Sequence, residues 1–290
     1  MAWVHSEAPS RLVGGAMAWA ASRGAGELHL VVDDAEAAGT VARRAAGFSR
    51  PPTVWIVEDR NLVPAVAAPL PEPAPPPPAA LALVPVIESA GAEAVAEHGT
   101  VKAEVKGLEV ARVETDDGVR LAVGVGRHDR EARRIVHAGE PADPAAELAG
   151  AVRTVSAHRR AGAASHPANQ LAGERWLRWV LVRHPELVGA RSLAPFPPPG
   201  PAPDLVARVP APALGSAPDG QTLVVVASVG VDLELAPAAV DAFIAAGDPS
   251  ALLVVVVPEG DDLPATRRLV GALAAPAEVR TVPRDWRARS

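Results

Sequence analysis

Two uninterrupted apolar runs near the end of the chain dominate its hydrophobic pattern. Thr222–Ser228 (TLVVVAS) and Ala251–Val257 (ALLVVVV) have no polar residue in their interiors, which is typical of strands covered on both faces of a parallel sheet. Helical spacing follows each run, in Pro237–Ala246 and Pro264–Leu273, and Glu278–Val282 has the pattern of a last strand. The order predicts a C-terminal βαβαβ unit whose first two strands are adjacent and parallel.

The N-terminal part alternates in a similar way. Residues 10–23 have helical spacing, with Ser10 as the cap, and Glu27–Asp33 has the pattern of a short strand. Asp34 is placed to cap a helix that runs to Phe48. Thr53–Val57 is the next predicted strand, so this part should form a right-handed, parallel βαβ unit. The pattern leaves open whether the N- and C-terminal units share one sheet.

The middle of the chain predicts a helix, a β-hairpin and further helices. Val84–His98 has helical spacing, and two strand-like runs, Thr100–Glu114 and Val119–Val125, are joined by Asp116-Asp117-Gly118. Asp-Gly between strand-like runs is a hairpin signal. Three more helices are predicted, beginning near Asp129, Ala145 and Asn169.

Two proline-rich tracts divide the chain. Residues 64–80 (PAVAAPLPEPAPPPPAA) and Pro195–Pro203 (PFPPPGPAP) cannot continue a helix or a sheet and favour extended polyproline II structure. We interpret both as semi-rigid linkers, and for residues 64–80 the alternative is recognition by SH3-like or WW-like partners. The expected division is an α/β unit at 1–66, a linker at 67–80, a central helix-hairpin-helix region at 81–194, a linker at 195–210 and the βαβαβ unit at 211–290.

The amino-acid composition narrows the class of protein. The 290 residues include no cysteine, which excludes disulfides, thiolate zinc sites and cysteine nucleophiles. A net charge of −6 gives no support for binding nucleic acid through its phosphates. The apolar runs are far shorter than the ~20 residues that span a bilayer. We therefore expect a soluble cytoplasmic α/β protein without a membrane partner. The composition does not identify a binding partner, and it is compatible with a protein partner.

The first candidate site follows the first buried strand of the C-terminal unit. Gly230 would allow a ligand to approach the backbone, and Asp232 and Glu234 would project to one side of an extended segment. Ligands bind beyond the carboxyl ends of strands in parallel sheets. The two acids could hold Mg²⁺ or Mn²⁺ or accept sugar hydroxyls. The competing interpretation is that they are solvated turn residues before a helix, where acids are favoured.

The second candidate site lies around the central hairpin. Glu97 is expected on the preceding helix, and Glu104 and Glu109 on the first strand. A helix and a hairpin that carry acids resemble metal-dependent nuclease cores in topology only. The acid-x-lysine pair expected on the third strand is missing, since Ala122 and Gly124 occupy those positions.

These observations do not decide whether the chain is an enzyme or a binding protein. The leading hypothesis is a binding or interaction protein, because no catalytic motif is present: the glycine patterns of dinucleotide and P-loop sites are absent. One alternative is a metal-dependent, nuclease-like phosphodiester hydrolase. Another is a sugar- or nucleotide-handling enzyme built on the C-terminal sheet. Trp176 and Trp179, which share a helix face, are expected to pack in a core rather than to bind a partner.

Overall fold

A computed structural model describes residues 1–6, 11–116, 118–136, 143–200 and 207–290. The strands in chain order are β1 (Ala2–His5), β2 (Leu28–Val32), β3 (Thr53–Glu58), β4 (Asn61–Pro64), β5 (Glu93–Glu97), β6 (Thr100–Val105), β7 (Leu108–Glu114), β8 (Arg120–Val123), β9 (Ser192–Pro195), β10 (Ala211–Ser216), β11 (Thr222–Ala227), β12 (Leu252–Pro258) and β13 (Ala277–Val282). The helices are α1 (Val13–Ser22), α2 (Ala35–Ala46), α3 (Pro78–Leu81), α4 (Val84–Ser89), α5 (Gly126–Val136), α6 (Pro144–His158), α7 (Pro167–Gln170), α8 (Gly173–Arg183), α9 (Leu235–Ala246) and α10 (Pro264–Gly271).

The predicted α/β fold class is confirmed. The described strands form an N-terminal sheet in the order β1-β2-β3-β4, a central sheet in the order β5-β6-β7-β8 and a C-terminal sheet in the order β13-β12-β11-β10-β9. Among the described residues, no helix is both long and apolar enough to cross a membrane.

The C-terminal sheet has the predicted parallel core. β11 and β12 are parallel neighbours, with Val225 opposite Val254, and β13 extends the parallel order. Val224 and Val225 point to opposite faces of β11, and both are 0% exposed. The strand is therefore covered on both faces, as its uninterrupted apolar sequence predicted. β9 and β10 complete the sheet by antiparallel pairing.

The N-terminal sheet contains the predicted parallel βαβ unit and two strands that the pattern did not reveal. β2 and β3 pair in parallel, β1 adds a third parallel strand, and β4 returns antiparallel to β3. β1 and β4 have only four residues each, too few for an alternating pattern to stand out. Asp34 caps α2 as expected, by accepting hydrogen bonds from Glu36 and Ala37. The expected cap Ser10 lies outside the described residues.

The two parallel sheets are separate but share one apolar core. α1 and α2 pack against the N-terminal sheet, whereas α9 and α10 pack against the C-terminal sheet. The two helical layers then contact each other, α1 with α10 and α2 with α9. Buried side chains from both sheets and from the helices between them join in a single cluster, which includes Leu30 of β2, Val41 of α2, Val226 of β11 and Val255 of β12.

A reciprocal pair of hydrogen bonds joins the two halves of this core. The backbone N–H of Ser49 donates to the carbonyl of Ala272, and the N–H of Ala274 donates to the carbonyl of Gly47, each over 2.9 Å. Phe48 lies opposite Leu273 in this short antiparallel bridge. Since each bond has its mirror partner, the segments after α2 and α10 meet in an approximately two-fold arrangement.

The chain divides into two compact units. The first consists of Met1–Pro71, Leu181–Pro199 and Pro210–Arg284, and the second of Glu72–Val180, Gly200–Val209 and Asp285–Ser290. In the second unit the central sheet packs one apolar face against α4 and α6. Residues 65–77 of the first proline tract form neither helix nor strand. Residues 201–203 of the second tract lie outside the described residues.

Two expectations for the central region are wrong. The helix expected over Val84–His98 ends at Ser89, and its remainder forms β5. Thr100–Glu114 is a hairpin rather than one strand. The physical reason is a pair of two-residue turns, His98-Gly99 and Lys106-Gly107, in which all four residues have positive φ. Turns of this kind close antiparallel hairpins.

Candidate functional site

The loop after β11 holds the first predicted site. Asp232 accepts a hydrogen bond from the backbone N–H of Glu234 over 3.0 Å, and the N–H of Gly230 donates to Asp261 over 2.7 Å. Asp232 and Glu234 are both buried. They are therefore not solvated turn residues. Asp232 and Asp261 each accept a hydrogen bond from a backbone N–H of the loop after β11. Whether these residues bind a ligand or a metal stays a prediction.

The carboxylate of Glu234 caps a helix that is distant in sequence. Its Oε1 atom accepts hydrogen bonds from the N–H groups of Gly14 and Gly15 at the start of α1, over 2.7 and 3.2 Å. An added Cβ at Gly14 would lie 1.8 Å from the carbonyl oxygen of Leu233, so only glycine allows this approach. Burial raises the pKa of Glu234, against the opposing effect of these hydrogen bonds.

The acids of the second predicted site come together on one face of the central sheet. Glu97 lies on β5 rather than on a helix, whereas Glu104 lies on β6 and Glu109 on β7. All three side chains are buried. The sequence therefore identified a real cluster of carboxylates, but assigned Glu97 to the wrong type of element.

Cationic side chains fill the space around these carboxylates. Lys102 Nζ lies 2.9 Å from Glu97. Arg175, on α8, pairs with Glu97 and also with Glu104, the latter over 2.6 Å. Glu109 accepts hydrogen bonds from Arg112 and Arg130 over 3.0 and 2.9 Å.

The electrostatics of this cluster favour ion pairing inside the protein. Burial of Glu97 tends to raise its pKa, but attraction to Arg175 and Lys102 outweighs burial and lowers the pKa to about 2. Within the described residues, no three His, Asp or Glu side chains are arranged to hold a metal ion. A guanidinium and an ammonium group stand where a divalent cation would have to bind.

Of the two tryptophans of α8 that were expected to pack in a core, Trp176 does so inside the second unit. The ring of Trp176 is fully buried and contacts the ring of Trp286 edge-on, with centroids 5.6 Å apart. The guanidinium of Arg159 lies 4.3 Å from its centroid. Trp179 instead donates its indole N–H to Glu93 over 2.5 Å, so it belongs to the charged face of the central sheet.

Sequence reasoning missed an aromatic surface on the outer face of the N-terminal sheet. Inward positions of this sheet, such as Leu30 and Val54, pack in the core beneath it. The strand register places the alternate positions together on the other face, which points away from the helices. These outward residues are Trp3, His5, His29, Val31, Thr53, Trp55, Val57, Leu62 and Pro64. We call this surface the Trp face.

Three rings form the centre of the Trp face. Trp3 stacks on His29 with ring centroids 4.2 Å apart and lies 6.2 Å from Trp55. The indole N–H of Trp55 donates to His29 Nδ1 over 3.1 Å. Trp3 is 48% exposed, and its indole N–H has no hydrogen-bond partner among the described residues. The cluster therefore presents an open ring and a free donor.

The rim of the Trp face is acidic. Asp33 and Asp34 follow β2, Glu58 is the last residue of β3, and Asp59 and Arg60 form the turn after it, all exposed. Asp33 pairs with His5 over 2.7 Å. Because parallel strands end at the same edge, Asp33, Glu58 and Asp59 lie near one edge of the sheet, whereas the carboxylate of Asp34 caps α2.

No protein-family model, curated protein or solved structure matches the chain. Evidence about function therefore comes from the geometry and chemistry of the molecule.

Proposed function

We propose that this protein is a non-catalytic binding protein whose Trp face takes a proline-rich polypeptide segment. The observation that carries the proposal is the exposed ring cluster of Trp3, His29 and Trp55 on a mainly parallel sheet. Sheets of this kind are normally covered on both faces, as β11 of the C-terminal sheet is. Exposed apolar patches on folded proteins are a common feature of interaction sites.

The free groups of the Trp face favour an extended proline-rich ligand over a helical one. A polyproline II segment has no internal hydrogen bonds, so its carbonyl groups are available to the free indole N–H of Trp3. A helix uses its own carbonyls internally, apart from its last turn. Aromatic surfaces are also the usual receptors of proline-rich segments. With strands ~4.8 Å apart and ~3.3 Å per residue, the face is about 15 Å across, enough for about five ligand residues.

The acidic rim adds a charge preference. Asp33, Glu58 and Asp59 would attract a ligand that carries arginine or lysine beside its prolines and would repel nucleic acid phosphates. We place the protein in the cytoplasm, where its proline-rich tracts act as linkers. Cell fractionation tests the location.

The enzymatic alternatives draw less support from the geometry. A phosphodiester hydrolase would require Arg175 and Lys102 to leave the carboxylates that they neutralise. At a sugar- or nucleotide-handling site after β11, Asp232 Oδ1 and Glu234 Oε1 already accept backbone hydrogen bonds, which leaves Glu234 Oε2 as the buried oxygen without a partner among the described residues. A binding role does not require these ion pairs to break, because the Trp face is already exposed.

A peptide titration tests the proposal. The probe is a ten-residue oligoproline peptide with one terminal arginine, compared with an alanine-rich helical peptide of equal length and charge. Saturable quenching of tryptophan fluorescence by the oligoproline peptide is expected, with loss of binding in Trp3→Ala. The matched control is Trp19→Ala, since Trp19 is 43% exposed but lies on α1.

Two results would reject this function. One is the absence of saturable binding up to about 1 mM peptide, which corresponds to a binding free energy weaker than about −4 kcal/mol. The other is equal binding by the wild type and Trp3→Ala. Preference for the helical peptide would also exclude a polyproline ligand.

A further inference from the structure

We propose that the open edge of β8 is a second binding site, which takes a short extended peptide with both of its termini free. Every residue of the site belongs to the second compact unit, so the proposal is independent of the Trp face. The site is a cavity of about 380 Å³ along β8, beside the start of α5. We call it the β8 cleft, and its lining includes Asp116, Leu121, Ala122, Val123 and Arg127.

β8 is an edge strand with unused backbone groups. It is the last strand of the central sheet, and the N–H of Gly124 donates to the carbonyl of Val110 on β7 over 2.8 Å. This bond sets the alternation of the β7–β8 ladder, so the N–H and C=O groups of Leu121 and Val123 point away from β7. No bond to them from outside the ladder occurs among the described backbone groups. A ligand backbone can therefore pair with β8 as a further strand.

Most charged side chains around the β8 cleft already have partners in the protein. The ion pairs are Arg120 with Glu114, Arg130 with Glu109, and Arg133 with Asp129 and Glu147. Glu131 is also engaged. Arg127 and Asp116 are different: both are exposed, and neither has a hydrogen bond or an ion pair with any residue that the structure describes. One guanidinium and one carboxylate are therefore left for a ligand.

These two unpaired groups select a ligand that carries both signs of charge. The described lining has as many arginines as acids, so it does not favour a phosphate or a simple cation. A free peptide carries an ammonium group at one end and a carboxylate at the other. Arginine binds carboxylates with two parallel hydrogen bonds, which assigns the peptide carboxylate to Arg127 and its ammonium group to Asp116.

The length and volume of the β8 cleft limit the peptide. β8 has four residues, which span about 13 Å at ~3.3 Å per residue. Asp116 precedes the strand and Arg127 follows it along the chain, so a peptide of about four residues would run parallel to β8. A cavity of about 380 Å³ is near the lower end of the range of about 300–1,000 Å³ for ligand sites, which favours small side chains.

Calorimetric titration of the full chain with tetra-alanine tests the proposal. Two further probes are N-acetyl-tetra-alanine, which lacks the ammonium group, and tetra-alanine amide, which lacks the carboxylate. We expect saturable binding of the free peptide and a Kd at least about tenfold weaker for each blocked peptide, since a hydrogen bond to a charged group is lost. Equal affinity for all three peptides would overturn the assignment of the two termini and with it the proposal.

Matched substitutions identify the group that binds each terminus. Arg127→Gln should weaken binding of the free peptide by about tenfold or more and leave the amide unaffected, because the amide has no carboxylate to lose. Asp116→Asn should weaken the free peptide in the same way and leave the N-acetyl peptide unaffected. Both residues are exposed, so these variants should fold. Arg153→Gln, at an exposed position of α6 outside the β8 cleft, is the control and should bind as the wild type does.

Amide NMR spectra locate the bound peptide. Pairing with β8 should shift the amide protons of Leu121 and Val123 and slow their exchange, whereas that of Ala122, which faces β7, should change little. Absence of saturable binding up to about 10 mM peptide, or shifts confined to other strands, would overturn the proposal. Trp3→Ala should leave tetra-alanine binding intact, so a failure of the Trp face and a failure of the β8 cleft are distinguishable. Loss of tetra-alanine binding in Trp3→Ala would place this peptide on the Trp face and exclude the β8 cleft.

Discussion

Replacing Glu97 by glutamine should remove a defined part of the acid sensitivity of the second unit. In the folded protein the side chain lies beside Lys102 and Arg175. Burial opposes its ionisation, but attraction to the two cations prevails and lowers the pKa from 4.5 to about 2. The ionised form is therefore favoured by folding.

The magnitude follows from the difference between the two pKa values. Each pKa unit corresponds to about 1.4 kcal/mol, so ionised Glu97 contributes about 3 kcal/mol to the free energy of unfolding. Because the folded pKa is the lower one, the full contribution is present above about pH 4.5 and is lost as the pH falls toward 2. By pH 3, about 2 kcal/mol of it should have disappeared.

Hydrogen exchange of the β6 and β7 amides at pH 7, 5, 4 and 3 measures this change within the second unit. At pH 7, Glu97→Gln should be less protected than the wild type, because Lys102 and Arg175 lose an anionic partner. The difference should shrink by about 2 kcal/mol between pH 5 and pH 3. Glu88→Gln, at an exposed position of α4, is the control. A constant difference over this pH range would refute the reasoning.

Three further substitutions test the core and its buried charges. Val225→Asp places an unpaired charge at a fully buried position of β11 and should lower the free energy of unfolding by several kcal/mol in urea titration; wild-type stability would place β11 at the surface. Arg159→Met removes hydrogen bonds to four backbone carbonyls and should cost at least 1–3 kcal/mol, read as faster exchange around Lys106; unchanged exchange would contradict it. Asp241→Ala leaves Arg43 without its carboxylate and should lower Tm, with a cost of about 3–5 kcal/mol; an unaltered Tm would show that this ion pair is dispensable.

The sequence was most informative where one physical requirement dominated. β11 and β12 must be covered on both faces, so every interior position is apolar and the pattern identifies both strands and their pairing. β1 could not be found in this way. Its four residues alternate only twice, and the strand depends on pairing with β2, which local sequence does not encode.

The hairpin turns of the central sheet show a different limit. His98-Gly99 and Lys106-Gly107 have the left-handed backbone that two-residue turns need. Glycine at the second position was a usable signal. Histidine and lysine at the first position are less characteristic than asparagine or aspartate, so the helical spacing of the preceding residues appeared stronger. Glu97 was assigned to a helix for this reason.

The two kinds of candidate site differ in how far sequence could predict them. Glu97, Glu104 and Glu109 lie within one short stretch, and their clustering follows from local strand pairing. Their neutralisation by Arg175 depends on α8, which is about 70 residues away. Trp3 and Trp55 come from separate strands, so only the register of three strands brings them to one face.

The six faces of the three sheets explain why the Trp face is the exception. β11 and β12 are apolar and buried on both sides, and the hydrophobic surface of these two strands is therefore already covered. The central sheet buries one apolar face against α4 and α6, and its other face is charged but extensively ion-paired. The N-terminal sheet buries its inner face and leaves Trp3 and Leu62 in water. At ~25 cal/mol per Å² of apolar area, docking can still recover free energy there that folding has left unused.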